Sequence, residues 1–259
     1  MATALITGPT SGIGLGFTEL LAAKGFDLVL VARNRERLEA LANRLDAEHG
    51  VDVEVISADL SIRTDLAMVE ARLQSTKKHI SVLVNNAGFG INSSFLNSDV
   101  EVEQRAVNVL ITAVMRLTHA VLPGMVDRRY GVIINISSVA SWITSGTYSS
   151  AKSWVTVFTE SLFREVRGTG VRVIAVCPGF VHTEFHDRAG INMTKVSDWM
   201  WLDVSQVVDQ TVRDLSRNRP VSVAGVQYKV LSALLRHAPR SAVRLASTVR
   251  SSSTLLDSR

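Results

Sequence analysis

"TGPTSGIG", residues 7–14, sets three glycines, Gly8, Gly12 and Gly14, at the spacing G-x-x-x-G-x-G. The apolar run "ATALI" precedes it, and a helix-like stretch from Gly14 to Lys24 follows. Glycine adopts positive φ without steric penalty and lets another group come up against bare backbone. At the start of a helix, the group that approaches is commonly a phosphate. A glycine turn can also join a strand to a helix with no ligand, and this spacing is not the familiar G-x-G-x-x-G. The stretch predicts a strand–turn–helix unit, with a nucleotide phosphate as its candidate visitor.

Outward from this turn the same alternation repeats. "FDLVLVAR", "VDVEVISAD", "ISVLVNNAG", "GVIINISS", "VRVIAVCPG" and "PVSVAGV" are short, β-branched and nearly continuous in apolar character. Such runs suit a parallel sheet buried on both faces. Helix-like stretches lie between them, among them 35–49, 100–122 and 148–167. Repeated strand–helix units predict a doubly wound α/β fold of the Rossmann type. No linker, repeat or low-complexity tract interrupts the chain, so one domain over 1–259 is expected, with a lid at about 180–205 and basic helices at about 227–250.

The composition, 46% hydrophobic and 20% charged over 259 residues, is that of a globular protein with a sizeable core. No uninterrupted apolar run approaches the ~18 residues of a membrane span. "MATALITG" lacks the basic and apolar regions of a signal peptide. Cys177, the single cysteine, sits in an apolar run and reads as a buried, inert thiol, and the expected compartment is the cytoplasm. Of the net charge of +4, residues 225–259 carry +5 and the rest of the chain −1. No basic–aromatic interleaving accompanies that charge, so nucleic acid is not an expected partner.

"VAR" ends the second strand candidate and places Arg33, followed by Asn34, where an adenosine ribose would lie. An acid there would hold the 2′-hydroxyl of NAD, whereas an arginine favours the 2′-phosphate of NADP. Tyr148 and Lys152 are four apart in a helical run, which stacks them on one face about 6 Å apart along the axis. An ammonium near a phenol stabilises the phenolate and would lower its pKa from ~10. Ser137 and Ser138 end the strand just upstream.

"TGPTSGIG", "NNAG", "YSSAK" and "PGFVHT" stand in the order seen in the short-chain dehydrogenase/reductase family, which the chain resembles well over about residues 1–185. The resemblance implies a seven-stranded sheet of order 3-2-1-4-5-6-7 and a nicotinamide cofactor, which with Arg33 becomes NADP (NADPH). By it, Gly8, Thr10, Ser11, Gly12, Ile13 and Gly14 cradle the pyrophosphate, while Arg33 and Asn34 meet the ribose. Asp59 and Leu60 hold the adenine, and Asn85, Ala87 and Gly88 flank the adenosine side. Pro178, Gly179, Val181 and Thr183 lie at the nicotinamide end, with Thr183 on the carboxamide. Tyr148 and Lys152 contact the cofactor as well as carrying the chemistry, Ser138 matches the family's serine, and Asn108 matches the asparagine of its proton relay. Ten residues separate Ser138 from Tyr148 where many relatives have thirteen, so the intervening loop is shortened.

The assembled expectation is reduction of a ketone, keto-acyl or otherwise lipid-like, to a secondary alcohol, with Tyr148 as general acid. The alternative is a non-catalytic NADP(H)-binding regulator, since fold does not dictate function. His182 and His186 are four apart but lack a third ligand, so no metal is expected. "DWMWL", residues 198–202, reads as an aromatic cover for an apolar substrate. A homo-oligomer is implied by the resemblance, with Val155, Phe158 and Leu162 either supplying the contact or belonging to the core. The basic tail reads as surface helices, or as a contact for anionic lipid or an acyl carrier.

Overall fold

The computed structural model describes residues 2–194, 196–239 and 241–244. Strands β1 (Thr3–Thr7), β2 (Asp27–Ala32), β3 (Val53–Ser57), β4 (Ile80–Asn85), β5 (Gly131–Ile136) and β6 (Val171–Val176) make the body of the sheet. Two-residue strands β7 (Phe180–Val181), β8 (Trp201–Leu202) and β9 (Val221–Ser222) follow. All pairings are parallel, and the seven-stranded sheet has the order β3-β2-β1-β4-β5-β6-β9. This is the expected Rossmann-type order. Its seventh strand is β9 because β7 and β8 pair separately within the lid stretch, Phe180 opposite Trp201 and Val181 opposite Leu202. The run at 220–226 yields only two strand residues, bounded by Pro220, whose carbonyl accepts from Ala175 N, and by the turn at Gly225.

Side chains alternate across the sheet, as the two-residue period requires. Ala4 and Ile6 enter one core with Phe17 and Leu21 of α1 (Gly12–Ala23), Leu38 of α2 (Arg35–His49) and Val207 of α8 (Val204–Ser216). Leu5 enters the other, with Leu66 of α3 (Arg63–Gln74), Leu117 of α5 (Val114–Asp127) and Leu162 of α6 (Gly146–Glu165). A sheet covered on both faces explains why its strands read as continuous apolar runs.

The helix before β5 runs unbroken from Val100 to Asp127. It comprises α4 (Val100–Val107), a π-helical segment at Asn108–Ala113, and α5. By length and composition it is apolar enough to cross a membrane, which the reading of uninterrupted apolar runs does not register. Its buried residues, among them Ala113, Leu117 and Val121, pack in the core beside β4. On α6, Val155 and Leu162 are buried and Phe158 packs against the core, so Val157 is the apolar side chain that this helix exposes.

The lid stretch also holds α7 (Phe185–Arg188), and the last described long helix is α9 (Val226–His237). Residues 240 and 245–250 of the expected tail helices lie outside the described residues, as do 251–259. Tyr228 of α9 ties the lid to the body. Its hydroxyl accepts from Phe180 N (2.9 Å) and donates to Met200 O (2.6 Å). Its buried ring lies so close to Gly179 that a Cβ there would overlap it. Tyr228→Phe removes both hydrogen bonds and is expected to lower stability by about 1–3 kcal/mol while leaving the far-UV spectrum unchanged. Denaturant unfolding reads this, and an unchanged midpoint would show that the lid base is held by other contacts.

Candidate active site

The glycine turn leaves β1 with Gly8 at φ +66° and enters α1 with Gly12 at φ +55°, both in the left-handed region. A Cβ on Gly14 would overlap the Gly8 carbonyl oxygen and the Asn86 side chain, so the turn is closed down on itself. Ser11 is the N-cap of α1 but makes no side-chain capping bond. The first amides of α1 are thus left facing outward beside bare backbone, which suits a pyrophosphate. Thr183 overhangs the turn, because a Cβ on Gly12 would come 2.9 Å from its Cγ2. These features fit a dinucleotide held at Gly8, Thr10, Ser11, Gly12, Ile13 and Gly14.

A latch holds this turn against the next one. Thr7 Oγ1 accepts from Asn86 N (2.9 Å) and Ala87 N (3.0 Å). Asn86 Nδ2 returns donations to Thr7 O (3.0 Å) and Gly8 O (2.9 Å). The sequence reading takes in Asn86 only as part of the turn at 85–88, and its latch to Thr7 and Gly8 is what the structure adds. Asn85 points the other way, into the core, donating to Thr118 Oγ1 (3.1 Å) and Asn135 Oδ1 (2.9 Å). Its expected place beside adenosine is therefore corrected, since its amide belongs to a buried network between β4, β5 and α5.

At the adenosine end, Arg33 is exposed, while Asn34 Oδ1 caps α2 by accepting from Arg37 N (2.8 Å). Asn34 is thus a helix cap first. Asp59 accepts from both the amide and the hydroxyl of Ser61 (2.9 and 2.7 Å). Burial pushes its carboxyl pKa up, but the Ser61 bonds, helped by Arg33 and Arg105, hold it below the usual value. Leu60 and Val181 bury their side chains in the two cores, which leaves only their backbone for a ligand. Gly179 owes its lack of a side chain to the Tyr228 ring. Pro178 O accepts from Val139 N (3.0 Å) and fixes the loop after β5.

Ser138, Tyr148 and Lys152 converge at the end of β5. Ser138 Oγ accepts from Ala140 N (3.1 Å), donates to Pro178 O (3.5 Å), and stands close enough to the Tyr148 phenol to favour its ionised form. Ser137 faces the interior instead, donating to Lys152 O (2.7 Å). The short Ser138–Tyr148 loop is taken up by a 3-10 turn at Val139–Trp142, and Ser149 Oγ bonds the Ala140 and Ile143 carbonyls (2.6 Å each). Lys152 Nζ donates to Ile136 O (2.7 Å) and lies 5.7 Å from the Tyr148 ring centroid. Gly88 approaches from the other side, since a Cβ there would come 3.9 Å from Lys152 Nζ.

Burial dominates both titrations. It pushes the Tyr148 phenol up to about 12 against the opposing influence of Ser138. It pulls the Lys152 ammonium down to about 8. The helical spacing predicts a lowered phenol, and the structure gives the opposite direction. The ammonium turns to the Ile136 carbonyl rather than to the hydroxyl, so desolvation is the larger effect.

A family model described as short chain dehydrogenase matches residues 2–193. The chain belongs to this family. Members are oxidoreductases that use NAD or NADP. A very-long-chain 3-oxoacyl-CoA reductase of Anas platyrhynchos is 35% identical over 191 residues, 71% of this chain and 61% of that protein. The chain thus spans less than two thirds of that relative's length. A short-chain dehydrogenase from Sphingobium yanoikuyae in complex with NADPH superposes with a TM-score of 0.82 at 34% identity, over 100% of this chain and 96% of that one. A bulky-bulky ketone specific alcohol dehydrogenase from Comamonas testosteroni gives 0.78 at 29% identity, over 100% and 95%.

Within this short-chain dehydrogenase, the Asn108 carboxamide is bonded outside the Ser138, Tyr148 and Lys152 cluster. Asn108 opens the π-helical segment, donates to Ser61 O (3.2 Å) and accepts from Gln104 Nε2 (2.9 Å). The side chain packed against Gly88 is Leu110, whose Cδ2 would meet a Cβ there at 2.9 Å. A π turn holds more residues than an α turn and so changes which of them faces the site. Around Tyr148 the surface is apolar. Phe185 lies 5.8 Å away ring to ring, and Phe89, Ile91 and Ile111 pack in the same cluster. His182 stacks on Trp201 (4.8 Å), and His186 meets Phe180, Phe185 and Trp201, so both histidines belong to an aromatic cluster. Trp199 is exposed. Cys177 is fully buried, and burial pushes its thiol up to about 11.

Lys152 is expected to titrate near pH 8 rather than near 10.5. Nuclear magnetic resonance of labelled lysine side chains, assigned with Lys152→Met, reads this. A titration at the ordinary lysine value would show that the ammonium is better solvated than its burial implies.

Proposed function

We propose that this chain reduces an apolar ketone to a secondary alcohol with NADPH. The observation that carries the reading is the convergence of the Ser138 hydroxyl, the Tyr148 phenol and the Lys152 ammonium beneath an apolar wall. When bound, the nicotinamide cofactor supplies the hydride. Ser138 and Tyr148 hydrogen-bond the carbonyl oxygen and fix its position. Tyr148, with its pKa near 12, carries its proton at neutral pH and gives it to that oxygen as negative charge develops. Lys152, charged below about pH 8, stabilises the phenolate left behind and favours its reprotonation. The Asn108 carboxamide is engaged with Ser61 and Gln104, so its part in this relay falls to its backbone carbonyl. Phe89, Ile91 and Phe185 exclude water from the reacting carbonyl and favour an apolar substrate. The names of the 3-oxoacyl-CoA reductase and bulky-ketone relatives support that substrate class.

NADPH is favoured over NADH because Arg33 is exposed at the end of β2, where no acid stands to hold a free 2′-hydroxyl. The NADPH complex of the Sphingobium relative supports the same choice.

Tyr148→Phe keeps the ring and removes the proton. Ketone reduction is expected to fall by roughly 10²–10⁴ with NADPH affinity intact, whereas Asn108→Ala stays within about tenfold of the parent. Steady-state reduction of a panel of bulky ketones and β-ketoacyl thioesters, with NADPH affinity from fluorescence, reads both. Near-normal turnover by Tyr148→Phe would sink the mechanism. Arg33→Asp is expected to lose about 1.5–3 kcal/mol of NADPH affinity and to shift preference toward NADH. An unchanged preference in cofactor titrations would remove Arg33 from the 2′-phosphate site.

A further inference from the structure

Helix α9 is apolar on two sides. Its inner side carries Tyr228, which holds the lid, and Ser232, both buried. Its outer side presents Val226, Val230 and Leu234 at successive four-residue steps, 73%, 55% and 65% exposed. Four-residue steps line up along a helix, so these three make one continuous stripe. Trp199, 66% exposed, is held beside the first turn of the helix, since Gln227 Nε2 donates to its carbonyl (3.2 Å). Exposed apolar side chains lined up along one helix face mark a contact face.

The charges around the stripe identify its partner. Between Asp214 and Asp257 the sequence contains no acidic residue, while Lys229 and Arg236 lie on α9 and Arg244 follows it. Lys229 Nζ donates to the neutral amide of Gln210 (3.1 Å), and the Arg236 guanidinium lies over the Trp142 ring at 4.4 Å. Both partners are uncharged, so neither cation is held in an ion pair among the described residues. A second copy of this chain docked by a two-fold axis through the stripe would bring cations against cations. An anionic bilayer instead offers hydrocarbon to the stripe, phosphate to its basic flank, and an interfacial zone that suits the indole of Trp199.

The geometry points to the outer face of α9, with Trp199, as a docking surface for an anionic phospholipid bilayer. Docking there sets the lid at the membrane surface, because Tyr228 joins the same helix to Phe180 and Met200. This inference goes beyond the reductase reading and does not depend on it.

The test uses the full chain and vesicles of phosphatidylcholine with or without about a third phosphatidylglycerol, without substrate, at low and high salt. Co-sedimentation is expected only with the anionic vesicles and is expected to weaken with salt. The double substitution Val230→Asp and Leu234→Asp, on exposed positions, should lower partitioning by at least about tenfold while thermal stability and NADPH affinity stay unchanged. Brominated lipid should quench the tryptophan fluorescence of the parent, and Trp199→Phe should lose most of that quenching. The inference is overturned if the parent stays in solution with anionic vesicles, or if the double variant partitions as the parent does. It is equally overturned if light scattering shows a dimer that the double variant dissolves while vesicles bind neither protein. Ketone reduction is measured separately, so loss of either result leaves the other standing.

Discussion

The latch between Thr7 and Asn86 is the constraint on which the site depends. Strands β1 and β4 are neighbours, and the chain order reverses between them, which leaves a crevice at their carboxyl ends. Open turns at such a crevice would drift apart, because each has several backbone groups that no ladder pairs. Here one hydroxyl and one carboxamide take up four of them: the Asn86 and Ala87 amides and the Thr7 and Gly8 carbonyls. The glycine turn and the "NNAG" turn become one rigid floor. Gly14 completes it, since any side chain there would collide with the Gly8 carbonyl. The helix N-terminus above that floor is what a pyrophosphate meets.

From the same floor, Gly88 reaches across to Lys152, and Lys152 in turn is held by the Ile136 carbonyl at the end of β5. The site is therefore an assembly of strand ends, each fixed by the sheet, with helix α6 laid over them. Its electrostatics follow from that burial. A phenol held near 12 and an ammonium near 8 are both displaced toward their neutral forms by the low polarity around them. Both shifts have one cause, the exclusion of water by the same wall, and neither is drawn from the other group.

Much of this architecture was legible in the sequence because its causes are local. The two-residue and 3.6-residue periods come from backbone geometry, so strands buried on both faces and the helices between them declare themselves. The glycine spacing declares the turn for the same reason. Three of the four motifs follow the ends of β1, β4 and β6, and the fourth, "YSSAK", lies in the first turns of α6. Ser137 and Ser138 are identical in type and adjacent, and their surroundings separate them: the Ser137 hydroxyl is buried on Lys152 O. Less legible were residues whose partners are distant. Asn85 and Asn86 are identical in type and adjacent in sequence, yet they leave a strand end toward opposite sides, and only the packing of α5 decides which one enters the core.

The sequence by itself determined the order of the elements, the glycine turn at 7–14, the Tyr148–Lys152 spacing and the basic tail, because each is written within a few residues. Tertiary structure alone decided what those residues face. Gly179 is a glycine for the sake of Tyr228, 49 residues further on, whose ring occupies the space a side chain would need. The Asn108 carboxamide turns to Ser61, and Leu110 packs against Gly88, because a π segment changes the face that the helix presents. The phenol and the ammonium titrate as they do because of how deeply they are buried. Burial and long-range pairing belong to the docking of helices on the sheet, and no local period in the chain records them.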